Sequence, residues 1–421
     1  MKLRKILLLL TFIILLSSCN LFNKIGTNFV IAGDVENNQG ILMEYNGLGK
    51  NITIPENVTK VNGTAFTKTY KRVKNIYFHD NVREIENFDY NNFPNLKFNR
   101  YQNGLYLGNK NNPYHVFVTV KDSSLSKLTF HKDTKIILND NNLKYRDFEV
   151  TQFPDKLFHI DERILKTFEG NMIKYNHCVY YGTKDNPYLI LNSYQSFNDY
   201  TLNIHPNTKY IVLENEVVFE WKNRYIKTLN IGKNIEYINI GIQCQSSSIV
   251  NINVDPENKH YKAVDNVLYT IDGKELVGCA NRGKSVVSVL DGTIEIGQNA
   301  FSGTDLRDIN FNEELLFIAR ESFSACNYLV EISLPNKLKY LDIYTFLDCK
   351  NLETIIFNSN LKRIYKFSFT SCDNLTTIYY DGSYKGFKSI KKDVQFNSIL
   401  HLYCKDKNNE YVDYIDKYYK D

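Results

Sequence analysis

Between residues 301 and 380 the apolar positions recur in a fixed phase. Phe301, Phe323, Phe346 and Phe369 are spaced 22, 23 and 23 residues apart, and Leu306, Leu329, Leu352 and Leu375 follow in step, as do Ile309, Ile332, Ile355 and Ile378. Two residues beyond each Ile comes another apolar side chain: Phe311, Leu334, Phe357 and Tyr380. That alternation is the period-two signature of a short strand with one buried face. A polar turn and a second apolar pair follow, as in Leu338/Leu341 and Leu361/Ile364, before the next Phe. Cys326, Cys349 and Cys372 each lie three residues after a Phe and complete the corner. Each unit therefore predicts strand, turn, second short strand and a Phe-x-x-Cys corner. One such unit cannot bury its apolar side alone, whereas stacked units cover one another. Phe301, Phe323, Phe346 and Phe369, with the three cysteines, are the expected internal ladder.

The pattern extends beyond this block. Leu329 to Cys349 reads LVEISLPNKLKYLDIYTFLDC, Ile52 to Phe66 reads ITIPENVTKVNGTAF, and Ile294 to Phe301 reads IEIGQNAF. On these motifs the chain resembles the BspA-like leucine-rich repeat proteins, and the resemblance covers most of residues 28–404. It implies a β-rich leucine-rich-repeat solenoid, a right-handed coil with a parallel sheet face. It also implies a surface protein that recognises or adheres to a partner. At this repeat length the chain holds at most about 17 coils, less those spent on hairpins, in one elongated body of roughly 60 to 80 Å.

The middle of the chain is duplicated on a longer period. GLYLGNKNNPYHVFV (residues 104–118) aligns with CVYYGTKDNPYLILN (178–192), and His131 recurs as His205, 74 residues on. Gly and Asn-Pro between alternating apolar runs predict hairpins. These are expected to protrude from the solenoid near 104–118 and 178–192, with a third near 264–280. His131 and His205 have no neighbouring Cys or His at ligand spacing, so duplication of structure is preferred to a metal site.

The N-terminus has a separate meaning. Lys2, Arg4 and Lys5 precede an apolar run from Ile6 to Leu16, then Ser17, Ser18 and Cys19. The run is too short to span a bilayer and reads as a signal peptide over residues 1–18. Leu16-Ser17-Ser18-Cys19 resembles a lipobox, which implies a lipid on Cys19 and a tether over 19–27. The alternative is an ordinary secretory signal that contains a cysteine. The reading gives an exported protein, lipid-anchored to a membrane and displayed at the cell surface, with residues 405–421 as a C-terminal tail.

Charge and motifs narrow the function. Losing Lys2, Arg4 and Lys5 reduces 51 basic side chains to 48, against 47 acidic ones. So even a balance gives nucleic acid no general attraction. No nucleophile elbow, P-loop, zinc-protease motif or dinucleotide fingerprint is present. No catalytic residue, cofactor or metal is assigned. With 31 Tyr and 26 Phe the chain can build a packed interior. If the repeated Ile points inward, its strand neighbours point outward. They are Asp308 and Asn310, Glu331 and Ser333, Thr354 and Ile356, and Thr377 and Tyr379. These, together with the hairpins near Pro113 and Pro187, form the candidate surface for a protein or glycan partner. A passive envelope scaffold is the alternative reading, and an envelope enzyme a weaker third.

Overall fold

A computed structural model describes residues 28–420, apart from 123, 125, 139–147, 155, 162–163, 166–171, 177, 195–200, 214–226, 241–248, 281–284, 394–395 and 397–398. Cys19 and the leader lie outside the described residues. The chain is a β-solenoid of about 13 turns with parallel sheets and little helix.

Each coil contributes two strands. The front strand carries the alternating residues, as in Glu331–Ser333, Thr354–Phe357, Thr377–Tyr380 and His401–Lys405, which pair in parallel. The back strand is the short pair before the Phe corner. Glu295–Ile296, Phe317–Ile318, Tyr340–Leu341, Arg363–Ile364 and Lys391–Lys392 stack in one eight-stranded sheet. Between the strands runs a continuous core in which Ile332, Ile355, Leu341, Ile364 and the corners Phe301, Phe323 and Phe346 are buried, with Phe369 partly buried against them.

The corner is held by a third ladder. The amides of Phe301, Phe323 and Phe346 donate to the carbonyls of Ser322, Thr345 and Ser368 in the next coil at 2.8 to 2.9 Å. To reach them the chain turns left-handed twice per coil, at Asn299, Glu321, Tyr344 and Phe367, and again at Gly303, Ala325, Asp348 and Ser371. Side-chain-bearing residues in that conformation cost about 1 to 2 kcal/mol each, offset by stacking of the phenylalanine rings. Phe301–Phe323, Phe323–Phe346 and Phe346–Phe369 stack at 5.2, 5.3 and 5.4 Å with planes within 14°. The cysteine thiols share this job. Cys326, Cys349 and Cys372 are unpaired, and each Sγ donates to the carbonyl of Phe301, Phe323 or Phe346 one coil earlier, at 2.9 to 3.0 Å.

The hairpins do not protrude. Each belongs to a three-stranded antiparallel meander lying in the back sheet: Asn99–Tyr101, Gly104–Leu107 and Val116–Val120; Met172–Tyr175, Cys178–Tyr181 and Ile190–Tyr194; and Tyr261–Val264, Val267–Thr270 and Glu275–Cys279. The last strand of each then pairs in parallel with the next coil's back strand. An isolated hairpin would be marginal and leave open edges, and pairing within the sheet removes both costs. At the turns a Cβ on Gly108 or Gly182 would lie 2.1 Å from the carbonyl of Asn112 or Asn186, so only glycine fits.

The stretch 405–421 is also more than a tail. Tyr411–Asp413 adds an antiparallel strand to the front sheet, and Tyr414, Ile415 and Tyr418 pack on the core beneath it. This closes the last coil, as a capping unit must.

The body is not one straight rod. The back sheet of the N-terminal arm (Phe29–Asp34, Gln39–Tyr45, Val58–Asn62, Glu84–Glu86) meets the back sheet of the C-terminal arm. Ala32, Ile41 and Met43 pack against Phe317, Ala319, Tyr340 and Tyr365, all buried. Lys60 Nζ lies 2.7 Å from Glu295 and 3.1 Å from Glu275, across 235 and 215 residues of sequence. Arg320 donates to Asn87 Oδ1 at 2.6 Å, and Glu44 contacts both Arg363 and Lys391. The elongated shape expected from repeat counting is thereby corrected: outward apolar side chains on both back sheets find cover in each other.

Candidate interaction face

The front sheet positions the candidate residues by alternation. Ile309, Ile332, Ile355 and Ile378 point into the core, so Asp308, Asn310, Glu331 and Ser333 are exposed and Thr354, Ile356, Thr377 and Tyr379 half-buried on the opposite face. Two rows run across the coils in register. One is Glu331, Thr354, Thr377 and His401; the other is Ser333, Ile356, Tyr379 and Tyr403. Asp308 and Asn310 lie apart from these rows, in a two-stranded sheet with Val286 and Ser288.

The rows continue past the residues named from sequence. Tyr403 stacks on Tyr379 at 4.7 Å with planes 16° apart, and Tyr411, from the added strand, meets Tyr379 edge-on at 5.3 Å. His401 Nδ1 lies 2.9 Å from Asp413 Oδ2. Burial would raise the Asp413 carboxyl, but His401 and the amides of Leu402 and Ile415 outweigh it and hold the carboxyl below its usual range. Lys405 contacts Asp381, which raises its ammonium, and lies 5.5 Å from the Tyr411 ring. His401, Tyr403, Lys405, Tyr411 and Asp413 are thus members that sequence reasoning missed. The signal was present: His401 and Tyr403 flank Leu402 as Thr377 and Tyr379 flank Ile378, one coil earlier.

What the face can do follows from its ring geometry. In register, parallel strands bring like side chains within stacking distance, so the rings of Tyr379 and Tyr403 cover each other. Ile356 occupies the row on the other side of Tyr379. Ring edges and phenolic ends are what remain to meet a partner. Elsewhere the same face is a polar ladder, with Asn253 donating to Asn230 at 3.0 Å and Asn251 to Thr228 at 3.4 Å.

The Pro113 and Pro187 turns do not share this face. They stack at the edge where front strand turns into back strand, tied by Asn112 Nδ2 to the Asp133 carbonyl and Asn186 Nδ2 to that of Asn207, both at 3.0 Å. His131 and His205 sit on the same edge. Each Nδ1 accepts the backbone N–H two residues on, at 3.2 and 3.1 Å, and each ring packs against Tyr114 or Tyr188. Asn258, Asn312 and Asn358 take the equivalent turn position in later coils, their Oδ1 accepting the turn amide and their Nδ2 reaching carbonyls of the preceding coil. The histidines are turn formers.

The repeat corner, the paired strands and the stacked Phe rows agree with one sequence family. The profile of the BspA type leucine rich repeat region matches six copies, over residues 45–140 and 284–403, just over half of the chain. The chain belongs to this family. No curated protein matches it. Among solved structures, a leucine rich cell surface protein from Faecalibacterium prausnitzii is 17% identical, with 88% of this chain and 97% of that one covered, at a TM-score of 0.36. A leucine-rich repeat protein from Eubacterium ventriosum is 14% identical over 90% and 91%, at 0.37. The pneumococcal vaccine antigen PcpA is 14% identical over 91% and 93%, at 0.34. At such scores these likenesses carry no argument about function or the placing of the arms. The BspA-type assignment rests on the repeat.

Proposed function

We propose that this BspA-type repeat protein is a surface-displayed, lipid-anchored recognition protein without catalytic activity, which binds a partner protein through the C-terminal part of its front sheet. The carrying observation is the half-exposed row Ile356, Tyr379, Tyr403 with Tyr411 beside it, amid Thr, Ser and paired charges. Aromatic anchors ringed by satisfied polar groups are the usual composition of protein hot spots. A glycan would need open ring faces to lie on, and here the facing sides of Tyr379 and Tyr403 are spent on each other. Display rests on the basic, apolar, Ser-Ser-Cys leader, which supplies an anchor at Cys19.

The test compares the parent with a paired Ile356→Lys and Tyr379→Lys variant, both checked for folding by circular dichroism. Each is presented to arrays of extracellular matrix and cell-surface proteins and to a glycan array. At least one protein target should be bound by the parent and lost by the variant. Undiminished binding in the variant, or glycan hits that the variant abolishes, would overturn the reading. For the anchor, Cys19→Ala should abolish acyl labelling and release the protein, and a parent that takes up no lipid would refute it.

A further inference from the structure

The contact between the arms leaves a cleft of about 360 Å³ that both arms line. Asn38 and Gln39 come from the first hairpin, Lys60 and Arg83 from the coils that follow, and Lys274 and Glu275 from the third meander. One side is the ion cluster, in which Lys60 is shared among Glu84, Glu275 and Glu295 at 3.2, 3.1 and 2.7 Å. Amide and hydroxyl groups make up most of the rest, Ile294 is the one wholly hydrocarbon side chain, and no aromatic residue lines the cleft.

One buried acceptor and two cations at this cleft are open to a ligand. Gln39 Oε1 is buried and accepts no hydrogen bond. Arg83, exposed and 5.8 Å from the Phe158 ring, and Lys274, half-exposed, form no ion pair with a carboxylate among the described residues, although both line the same space. A buried acceptor without a donor costs about 1 to 3 kcal/mol, and a ligand hydroxyl would remove that cost. Two cations from opposite arms with no carboxylate on either can share an anion. The acidic side chains Asp272 and Glu275 also line the cleft and repel a doubly charged phosphate more strongly than a single carboxylate, yet can accept from hydroxyls. The volume is at the small end of the range for ligand sites, about 300 to 1,000 Å³, and suits a single ring.

We propose that the cleft between the arms binds a small acidic sugar, its carboxylate held by Arg83 and Lys274 and its hydroxyls by Gln39, Glu275 and the neighbouring amides. This site is separate from the front-sheet face and stands or falls without it. Because neither arm alone supplies the set, a bound sugar also holds the arms together.

Calorimetric titration of the purified full chain with galacturonate, galactose and inorganic phosphate tests this. Galacturonate should bind saturably at one site, at least about tenfold more tightly than galactose or phosphate. A double Arg83→Ala and Lys274→Ala variant, which removes two exposed or half-exposed cations and should fold normally, should lose at least about tenfold in galacturonate affinity. Gln39→Glu, adding a further negative charge to the cleft that receives the anion, should weaken it as well. No saturable heat at millimolar galacturonate, equal binding of galactose, tighter binding of phosphate, or an unaffected double variant would each overturn the proposal.

Discussion

The two sheets of this solenoid obey the same alternation and meet different fates. On the front sheet the side chains that leave the core face water, and they are Thr, Asn, Ser and Glu for most of the length, with an isolated Tyr77 near the N-terminal end and a stacked aromatic pair at Tyr379 and Tyr403. On the back sheet the outward residues Ile41, Met43, Phe317 and Tyr340 are each no more than 5% exposed because one arm covers the other. Alternation therefore says which side chains leave a coil and nothing about what they meet. Composition at the outward positions tells much of the rest: the polar rows stay open and the apolar rows of the back sheet find cover, while the row through Ile356, Tyr379 and Tyr403 stays half-exposed.

The largest effect should come from a residue that both sheets depend on. Phe346 is the inner rung of the stacked corner and has no solvent exposure. Phe346→Ala should cost about 3 to 5 kcal/mol through lost transfer energy and a cavity, read as a shift in urea midpoint. A loss below about 1 kcal/mol would place the ring outside the core. Next comes the cover itself. Phe317→Asp puts a charge into the apolar patch between the arms while leaving Ile318 in the core. It should cost about 2 to 4 kcal/mol and separate the arms, seen as a larger radius of gyration in small-angle scattering. An unchanged radius would mean that the arms are held by something other than this patch.

Proton linkage sharpens the same contrast, since the front face has no comparable cluster among the described residues. Withdrawal from water pushes the Glu295 carboxyl up to about 8, against the pull of Lys60, with Glu275 and Glu84 adding repulsion. A carboxyl raised in the closed form favours closure fully below the usual glutamate range, about 4.3. That contribution is lost as pH rises through 8. Glu84 behaves oppositely. Burial would raise it, but Lys60, His159 and hydrogen bonds hold it at about 2, so its contribution is present above the usual range and fades as pH falls toward 2. Closure should therefore be tightest in mild acid and loosen between about pH 5 and 8. Glu295→Gln should flatten the alkaline limb in thermal midpoint and scattering radius. A limb of unchanged slope would remove Glu295 as its source.

Much of this fold was legible because the repeat acts locally. The Phe rows, the inward Ile of each front strand and the outward neighbours follow from spacing alone, since a stacked coil meets only the coils beside it. The contact of Lys60 with Glu295 was not legible, because superhelical curvature is the sum of small rotations per coil that no single repeat encodes. A hint was nevertheless there: Phe317 and Tyr340 stand at outward back-strand positions where Glu295 and Arg363 stand in other coils. The hairpins were visible as turns, but their pairing within the sheet depends on edges that only the assembled stack presents. His131 and His205 drew notice as chemistry because a turn-forming Nδ1 is chemically indistinguishable, in sequence, from a ligand. Of the interaction face, the members on regular repeats were found, and those on the last coil and its cap were missed because a helix at Tyr384–Ser389 lengthens that unit.

The smallest expected effect is on the open face, and it is the most discriminating. Tyr403 is half-buried on the front sheet and stacks on Tyr379, with His401 5.8 Å away. Tyr403→Thr keeps a strand-favouring residue and gives up the ring pair, worth about 0.5 to 1.5 kcal/mol at most and toward the low end on a wet face. Global stability should fall by about 0.5 kcal/mol, with the scattering radius and the pH dependence of closure both unchanged. The variant also uncovers one face of the Tyr379 ring. If the stacked rings are what exclude sugars from this surface, Tyr403→Thr should acquire weak carbohydrate binding at Tyr379 that the parent lacks, measurable as ring-proton shifts on titration with a neutral oligosaccharide. Equal shifts in parent and variant would show that stacking does not govern access, and the preference for a protein partner would lose its physical basis.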